Sequence, residues 1–316
     1  MKMKIIVITF FMLASVLELK AQNVGTTSFQ FLKVIPTARA SAMGDAYTAG
    51  ADGADAAMWN PACLTKINQI DINLSYADWF FDSQISSASA AMSLLGVGTF
   101  AIYGTSITYG DIQETTVSAL QNNKNGLTGN SFAPNAMVLG LAFARSLTDK
   151  FSFGVTAKYV TEDLYVDKIS VVAFDGGMYY NTGYRSIQIG VALRNFGPQI
   201  KYVNQEFPLP QTVAMGLDMY LLSPEGLLGQ SSIHNIHLTA DLLQPRDYDE
   251  QYLFGLEYSL NDILFLRGGY KLNFDEEDYT LGAGIKLLRY TIDYAFNNYG
   301  LYLESVHRFS FGFCFD

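Results

Sequence analysis

The sequence has 316 residues with two cysteines, three histidines and fewer basic than acidic side chains, and these scarcities remove several function classes at once. Twenty Lys and Arg stand against 30 Asp and Glu, a net charge of −10. Such a surface repels a polyanion, so nucleic-acid binding is excluded. Two cysteines, Cys63 and Cys314, are too few for a disulfide scaffold or a cysteine-rich metal module. Two of the histidines, His234 and His237, fall on opposite faces of an expected strand, with no matching ligand set nearby. No serine–histidine spacing nominates a hydrolase with its orienting group. Gly282-Ala-Gly284 lies within an alternating run instead of between a strand and a helix, so it is not a phosphate loop. The acidic turn Asp275-Glu-Glu-Asp278 reads as a solvated loop before it reads as a calcium site. The expectation is a protein that is not an enzyme and uses no metal or cofactor.

A long hydrophobic run is also missing. The apolar stretch Ile5–Leu17 follows Lys2 and Lys4 and precedes Leu19-Lys-Ala21. It is too short to span a bilayer and has the layout of a secretory signal peptide, residues 1–21. Loss of the leader removes Lys2, Lys4 and Lys20 against Glu18 alone, which makes the exported chain more acidic still. Neither cysteine follows the leader, so a lipid anchor on a terminal cysteine is not expected. After residue 21 nothing approaches the ~20 apolar residues a membrane helix requires.

What the chain has in abundance is alternation. Phe309, Phe311, Phe313 and Phe315 occupy every second position at the C-terminus, with Ser310, Gly312 and Cys314 between them. In a strand these sets face opposite ways, giving an aromatic ladder on one side and small polar residues on the other. Tyr252–Ser259, Leu264–Leu272, Tyr279–Leu287 and Tyr290–Asn297 repeat the pattern, with Tyr and Phe at their ends. Less regular runs lie at Ile67–Trp79, Ile85–Leu95, Thr99–Tyr109, Met137–Arg145, Phe151–Val160, Ile169–Tyr180, Ile187–Phe196, Val213–Leu221 and His234–Leu242. Each is near the ~9–11 residues of a tilted membrane strand. About 14 strands result, joined alternately by short turns and longer polar loops, with Ser223–Ile233 a long connection on the short side. The reading is all-β: a transmembrane antiparallel barrel over 67–316 in the cell outer membrane. Only a closed sheet satisfies every backbone group in lipid. Its outside would meet outer-membrane lipid or lipopolysaccharide.

Parity places Lys158, Arg194, Asp241, Glu257, Arg267, Lys271, Lys286 and Asp293 in the lumen. The segment 22–66 is not strand-like. It is rich in Ala and Gly, and small residues permit close packing in a confined space, so it is expected inside the barrel as a hatch. Arg39, Asp45 and Asn60 are expected to anchor it to the lumen charges. Cys63 and Cys314 both fall near the end of the barrel where the first and last strands meet. They pair as a disulfide or remain as two small buried residues.

Within that segment Phe31-Leu-Lys-Val-Ile-Pro-Thr-Ala-Arg39, Met43-Gly-Asp-Ala-Tyr47, Asp52, Asp55 and Trp59-Asn-Pro-Ala62 follow one another in an order that resembles the PorV/PorQ family. Arg194-Asn-Phe-Gly-Pro198, Leu266-Arg-Gly-Gly-Tyr-Lys271 and Val306-His-Arg-Phe-Ser-Phe311 continue the likeness over most of the exported chain. The resemblance implies a FadL-like barrel of 14 strands, with Asn60 and Pro61 in its hatch, that works in the type IX secretion system of Bacteroidetes. It further implies protein partners, a secretion translocon or the C-terminal signal domains of secreted cargo. Cys63-Leu-Thr-Lys66 departs from the pattern associated with PorV itself, so a paralogue with a different partner stays open. A FadL-like channel for small hydrophobic molecules is the alternative.

Overall fold

The computed structural model describes residues 25–122, 125–165, 168–202, 205–300 and 303–315; the expected leader lies outside them. Fourteen strands form the wall. They are β1 (Ile70–Asp78), β2 (Gln84–Leu94), β3 (Gly98–Thr108), β4 (Asn135–Ser146), β5 (Phe151–Asp163), β6 (Lys168–Asn181) and β7 (Gln188–Phe196). The other half comprises β8 (Thr212–Ser223), β9 (His234–Pro245), β10 (Gln251–Leu260), β11 (Leu264–Leu272), β12 (Tyr279–Leu287), β13 (Tyr290–Asn297) and β14 (Val306–Phe315). Each pairs antiparallel with its neighbours in sequence, and β14 pairs with β1 from Phe315 opposite Ile70 to His307 opposite Asp78. The barrel is closed, which leaves no sheet edge unpaired in its wall.

Alternation decides which side chains face which way. On β14 Phe309 and Phe311 are exposed on the outer surface, whereas Arg308 and Ser310 are buried. On β10 Tyr252, Phe254 and Leu256 point outward and Leu253, Glu257 and Ser259 inward. No described helix is long and apolar enough to cross a membrane.

Two departures from a plain ladder have local causes. The pairing of β6 with β7 shifts register at Gly176, where Asn195 adopts a left-handed φ of 61°. Asn tolerates that conformation, and the bulge turns its side chain into the lumen beside Arg194. The long connection after β8 folds back, so that Gly229–Gln230 pairs in parallel with Leu222–Ser223. This extra pairing accounts for a long link at an end of the barrel otherwise closed by short turns. At the opposite, long-loop end, Ile112–Thr115 and Leu127–Phe132 make a hairpin capped by a short helix, Val117–Asn122. Ile200–Tyr202 and Gln205–Phe207 make another.

The N-terminal segment fills the space the wall encloses. Short turns of helix at Ala38–Ala42 (α1) and Ala56–Trp59 (α2), and 3-10 turns at Gln30–Lys33 and Pro61–Lys66, are linked by extended chain. Ala38, Ala40, Ala42, Ala49, Ala51, Ala54, Ala56, Ala57 and Ala62 are all fully buried. A methyl side chain lets the segment backbone lie close to the strands, and the wall reciprocates with glycine. Cβ atoms built on Gly154, Gly177, Gly190, Gly216, Gly255, Gly269 or Gly282 would all collide with the segment, which is the close approach that glycine in a strand permits.

Candidate functional site

The interior contact between segment and wall is held mainly by wall side chains bonding segment backbone. Asp241 accepts the N–H groups of Tyr47 (3.0 Å) and Thr48 (2.7 Å), and Asp71 accepts that of Ala54 (2.6 Å). Ser310 Oγ accepts from Ala38 N (2.8 Å). Thr280 Oγ1 accepts from Gly44 N (3.0 Å) and donates to Ala42 O (3.1 Å). Non-regular backbone buried in a lumen needs such partners, because each group left unpaired costs about 1–3 kcal/mol.

The four residues singled out in the segment take different partners. Arg39 lies against Asp52 (3.0 Å) and reaches Glu257 on β10 (3.3 Å). Asp45 pairs with Lys271 on β11, which also holds Glu277 at 2.8 Å. Asn60 does not meet a lumen charge. Its amide donates to Thr48 O (2.8 Å) and to Met178 O of β6 (3.1 Å), and its Oδ1 accepts Ala62 N (3.1 Å), capping the turn that begins at Pro61. A neutral amide offers both donors and an acceptor and so suits backbone partners. Pro61 lies over Gly154 and Gly177.

The two cysteines are apart. Cys63 is a fully buried free thiol under the 3-10 turn, its Sγ 3.7 and 3.8 Å from the carbonyls of Thr48 and Ala49. Burial pushes its pKa up to about 11. Cys314 is opposite Asp71 across the β1–β14 seam. No bridge joins them, because the turn that carries Cys63 packs on β4, β5 and β6 instead of on the seam.

The wall charges form a connected set. Glu257 binds Arg267 (2.5 Å), which binds Asp293 (2.6 Å); His237 lies between Asp218 and Glu257 (3.6 Å) and stacks on Tyr220. Across the lumen Lys158 binds Asp175 (2.8 Å) and Asn195 (2.5 Å), while Arg194 lies over Trp59 at 5.5 Å. Lys286 is the exposed exception, lining an open vestibule. Arg308, fully buried on β14, also belongs to the interior, over the Trp79 ring at 5.3 Å. Among the described residues no group of His, Cys, Asp and Glu is arranged to hold a metal.

The larger interior spaces among the described residues lie on either side of the segment. At the short-turn end a vestibule of about 670 Å³ is lined by Arg39, Asp52, Asp55, Asp71, Glu257, Arg267 and Lys286, among others. Toward the long loops a smaller one of about 260 Å³ is lined by Leu32, Lys33, Trp59, Arg194, Tyr248, Leu253 and Phe274. Within the vestibule burial raises the Asp55 carboxyl well above the ordinary aspartate range, and the neighbouring Asp71 and Asp52 raise it further. A raised carboxyl favours the folded state below its unfolded pKa of about 3.9, and that contribution fades as pH rises through the folded value. Asp55→Asn is therefore expected to raise the unfolding midpoint at pH 8 and to match the wild type near pH 4. Thermal unfolding at the two pH values measures it, and an equal shift at both would count against the assignment.

Sequence comparison and fold comparison agree on what this architecture is. Among solved structures the chain is similar to the Ralstonia pickettii toluene transporter TbuX, with a TM-score of 0.57 at 13% identity, covering 92% of this chain and 100% of that one. It is similar to the Pseudomonas putida toluene transporter TodX, with a TM-score of 0.55 at 12% identity over 86% and 95%. A Pseudomonas aeruginosa FadL homologue follows, with a TM-score of 0.51 at 12% identity over 89% and 99%. At such identities the likeness is one of fold. No curated protein matches the sequence. Residues 18–225, more than half of the chain, match the family model described as type IX secretion system protein PorV, and the chain belongs to that family.

Proposed function

We propose that this protein is a non-enzymatic outer-membrane platform of type IX secretion, which binds a translocon component or the C-terminal signal domain of a secreted protein through its long loops. In this reading the short turns face the periplasm, the long loops face outward, and the N-terminal segment acts as a hatch that keeps the lumen shut. The observation that carries it is the apolar surface on the loops, beyond the lipid-facing band. Phe81 is 82% exposed at the tip of the β1–β2 hairpin, in a left-handed conformation that costs a bulky residue energy. Val117 and Leu120 are 76% and 58% exposed on the short helix between β3 and β4. Below them Glu114 accepts hydrogen bonds from Thr128 (2.6 Å), Asn130 (3.1 Å) and Tyr165 (3.0 Å), which stiffens the hairpin. Apolar side chains held outward on an ordered loop are a common feature of protein-binding surfaces.

The channel alternative draws on the 260 Å³ cavity, whose aromatic and aliphatic lining suits a small apolar molecule. A passage would also require the segment to leave the lumen, against the contacts described above. Affinity purification from native membranes separates the readings. The platform predicts a co-purified secretion component or cargo that Phe81→Ser with Leu120→Ser reduces at least about tenfold. Co-purified lipid with no protein would favour the channel.

A further inference from the structure

The segment does more than occupy the lumen; it crosses it. Near Lys66 its chain is at the short-turn end, where the Lys66 ammonium lies 4.6 Å from the centre of the Tyr179 ring. Its other end is held by the long loops. Asp247, fully buried in the β9–β10 loop, accepts hydrogen bonds from Thr27 Oγ1 (2.8 Å), Gln30 Nε2 (3.0 Å) and Lys33 Nζ (2.7 Å). Ser28 N donates to Pro208 O in the β7–β8 loop at 2.9 Å. Lys33 Nζ lies 4.6 Å from the centre of the Tyr248 ring. Gly25 and Thr26, next in the chain, are exposed.

We infer that Gly25–Lys33 is a strap on the extracellular face, latched by Asp247, and that releasing this one carboxylate opens the 260 Å³ cavity to the outside. The strap supplies one side of that cavity through Gln30, Leu32 and Lys33, and the loops supply another through Tyr248 and Phe274. Three donors converge on a single carboxylate, so Asp247 is the main polar hold on the strap, beside the Ser28 N to Pro208 O bond and the buried rings of Phe29 and Phe31. The rest of the segment is fastened independently by Asp45 to Lys271 and by Asn60 to β6, so the strap can lift while the seal below it stays. Opening and plugging are then separate properties of one segment. The inference rests on the outward orientation of the long loops.

Single-cysteine variants in a Cys63→Ser, Cys314→Ser background test it with a membrane-impermeant maleimide on intact cells. Thr26→Cys on the strap and Leu120→Cys on the loop should label directly, and Leu95→Cys in the β2–β3 turn only after the outer membrane is opened. Leu253→Cys, on the cavity wall, should resist the reagent and label at least about tenfold faster once Asp247→Ala is added. Removing the donors instead, with Thr27→Val, Gln30→Leu and Lys33→Met, should expose Leu253→Cys in the same way if Asp247→Ala assembles poorly. Thr26→Cys labelling only together with Leu95→Cys, while Leu120→Cys labels directly, would overturn the strap. So would a Leu253→Cys that stays protected in both latch variants. Labelling of Leu95→Cys but not Leu120→Cys on intact cells would instead overturn the orientation, and the strap's outward display with it.

Discussion

Gly177→Val is expected to drive the N-terminal segment off the wall, whereas Gly176→Val, one residue earlier on the same strand, is expected to have little effect. A Cβ at Gly177 would fall on Asn60 Oδ1 and crowd Pro61 Cδ and Ala62 N, while one at Gly176 meets nothing within 4 Å. Valine favours strands, so propensity alone would make both changes mildly stabilising. The steric term reverses the sign at 177 only, because segment backbone is what must move. Overpacking costs about 1–3 kcal/mol, and displacing Asn60 leaves its partners Thr48 O and Met178 O short of a donor, each worth about 1 kcal/mol. The neighbouring pair Gly268 and Gly269 repeats the experiment on β11. A side chain at 269 would strike Gly44, and one at 268 touches only Leu281 and Thr280 at 3.8 and 3.9 Å. Trypsin cleavage at Arg39 or Lys66, with the protein in vesicles, reports the displacement. The inward variants should be cut at least about tenfold faster than the outward ones. Equal rates would mean that the segment is not held by the wall.

Removing Glu257 should cause the largest loss of stability from a single side chain. It is buried on β10 and balances Arg267, Arg39 and His237 together. Deleting one partner of a buried charge set costs about 3–5 kcal/mol, and the loss here is expected at the lower end, because Arg267 keeps Asp293, Arg39 keeps Asp52 and the open vestibule lies beside them. Replacing Arg39 alone should cost less, because its guanidinium is partly exposed and shared with the open Asp52. The double-mutant cycle between Glu257→Ala and Arg39→Ala, followed by urea unfolding, should give a coupling of about 1–3 kcal/mol. A coupling near zero would show that the segment and the wall network are energetically separate.

The barrel was legible because every strand repeats the same physical constraint. Lipid selects the outward face, and Tyr252, Phe254 and Leu256 or Phe309 and Phe311 report it through their spacing alone. Parity then also placed Glu257, Arg267, Lys271 and Asp293 inside, since a strand offers only two directions. The segment is harder to read. Its short helical turns have no period long enough to declare itself, and several of its partners, Thr280, Ser310 and Asn297 (which accepts from Ser41 Oγ at 2.9 Å), are ordinary polar residues until the fold brings them to it. The same limit explains Asn60, which looks like a lumen anchor in sequence and turns out to bond carbonyls. The latch at Asp247 could not be read at all, because Asp247 is more than two hundred positions from its three donors in the chain. Glycine carried a signal that alternation alone does not use. The pairs Gly176-Gly177 and Gly268-Gly269 each place one residue toward lipid and one against the segment.

The central claim is that this barrel is a closed platform and not an open pore, and conductance across a planar lipid bilayer tests it most directly. Purified wild-type protein should insert without stable open-channel steps, while the Gly177→Val variant should show them. Sustained conductance from the wild type, with the N-terminal segment intact, would contradict the account.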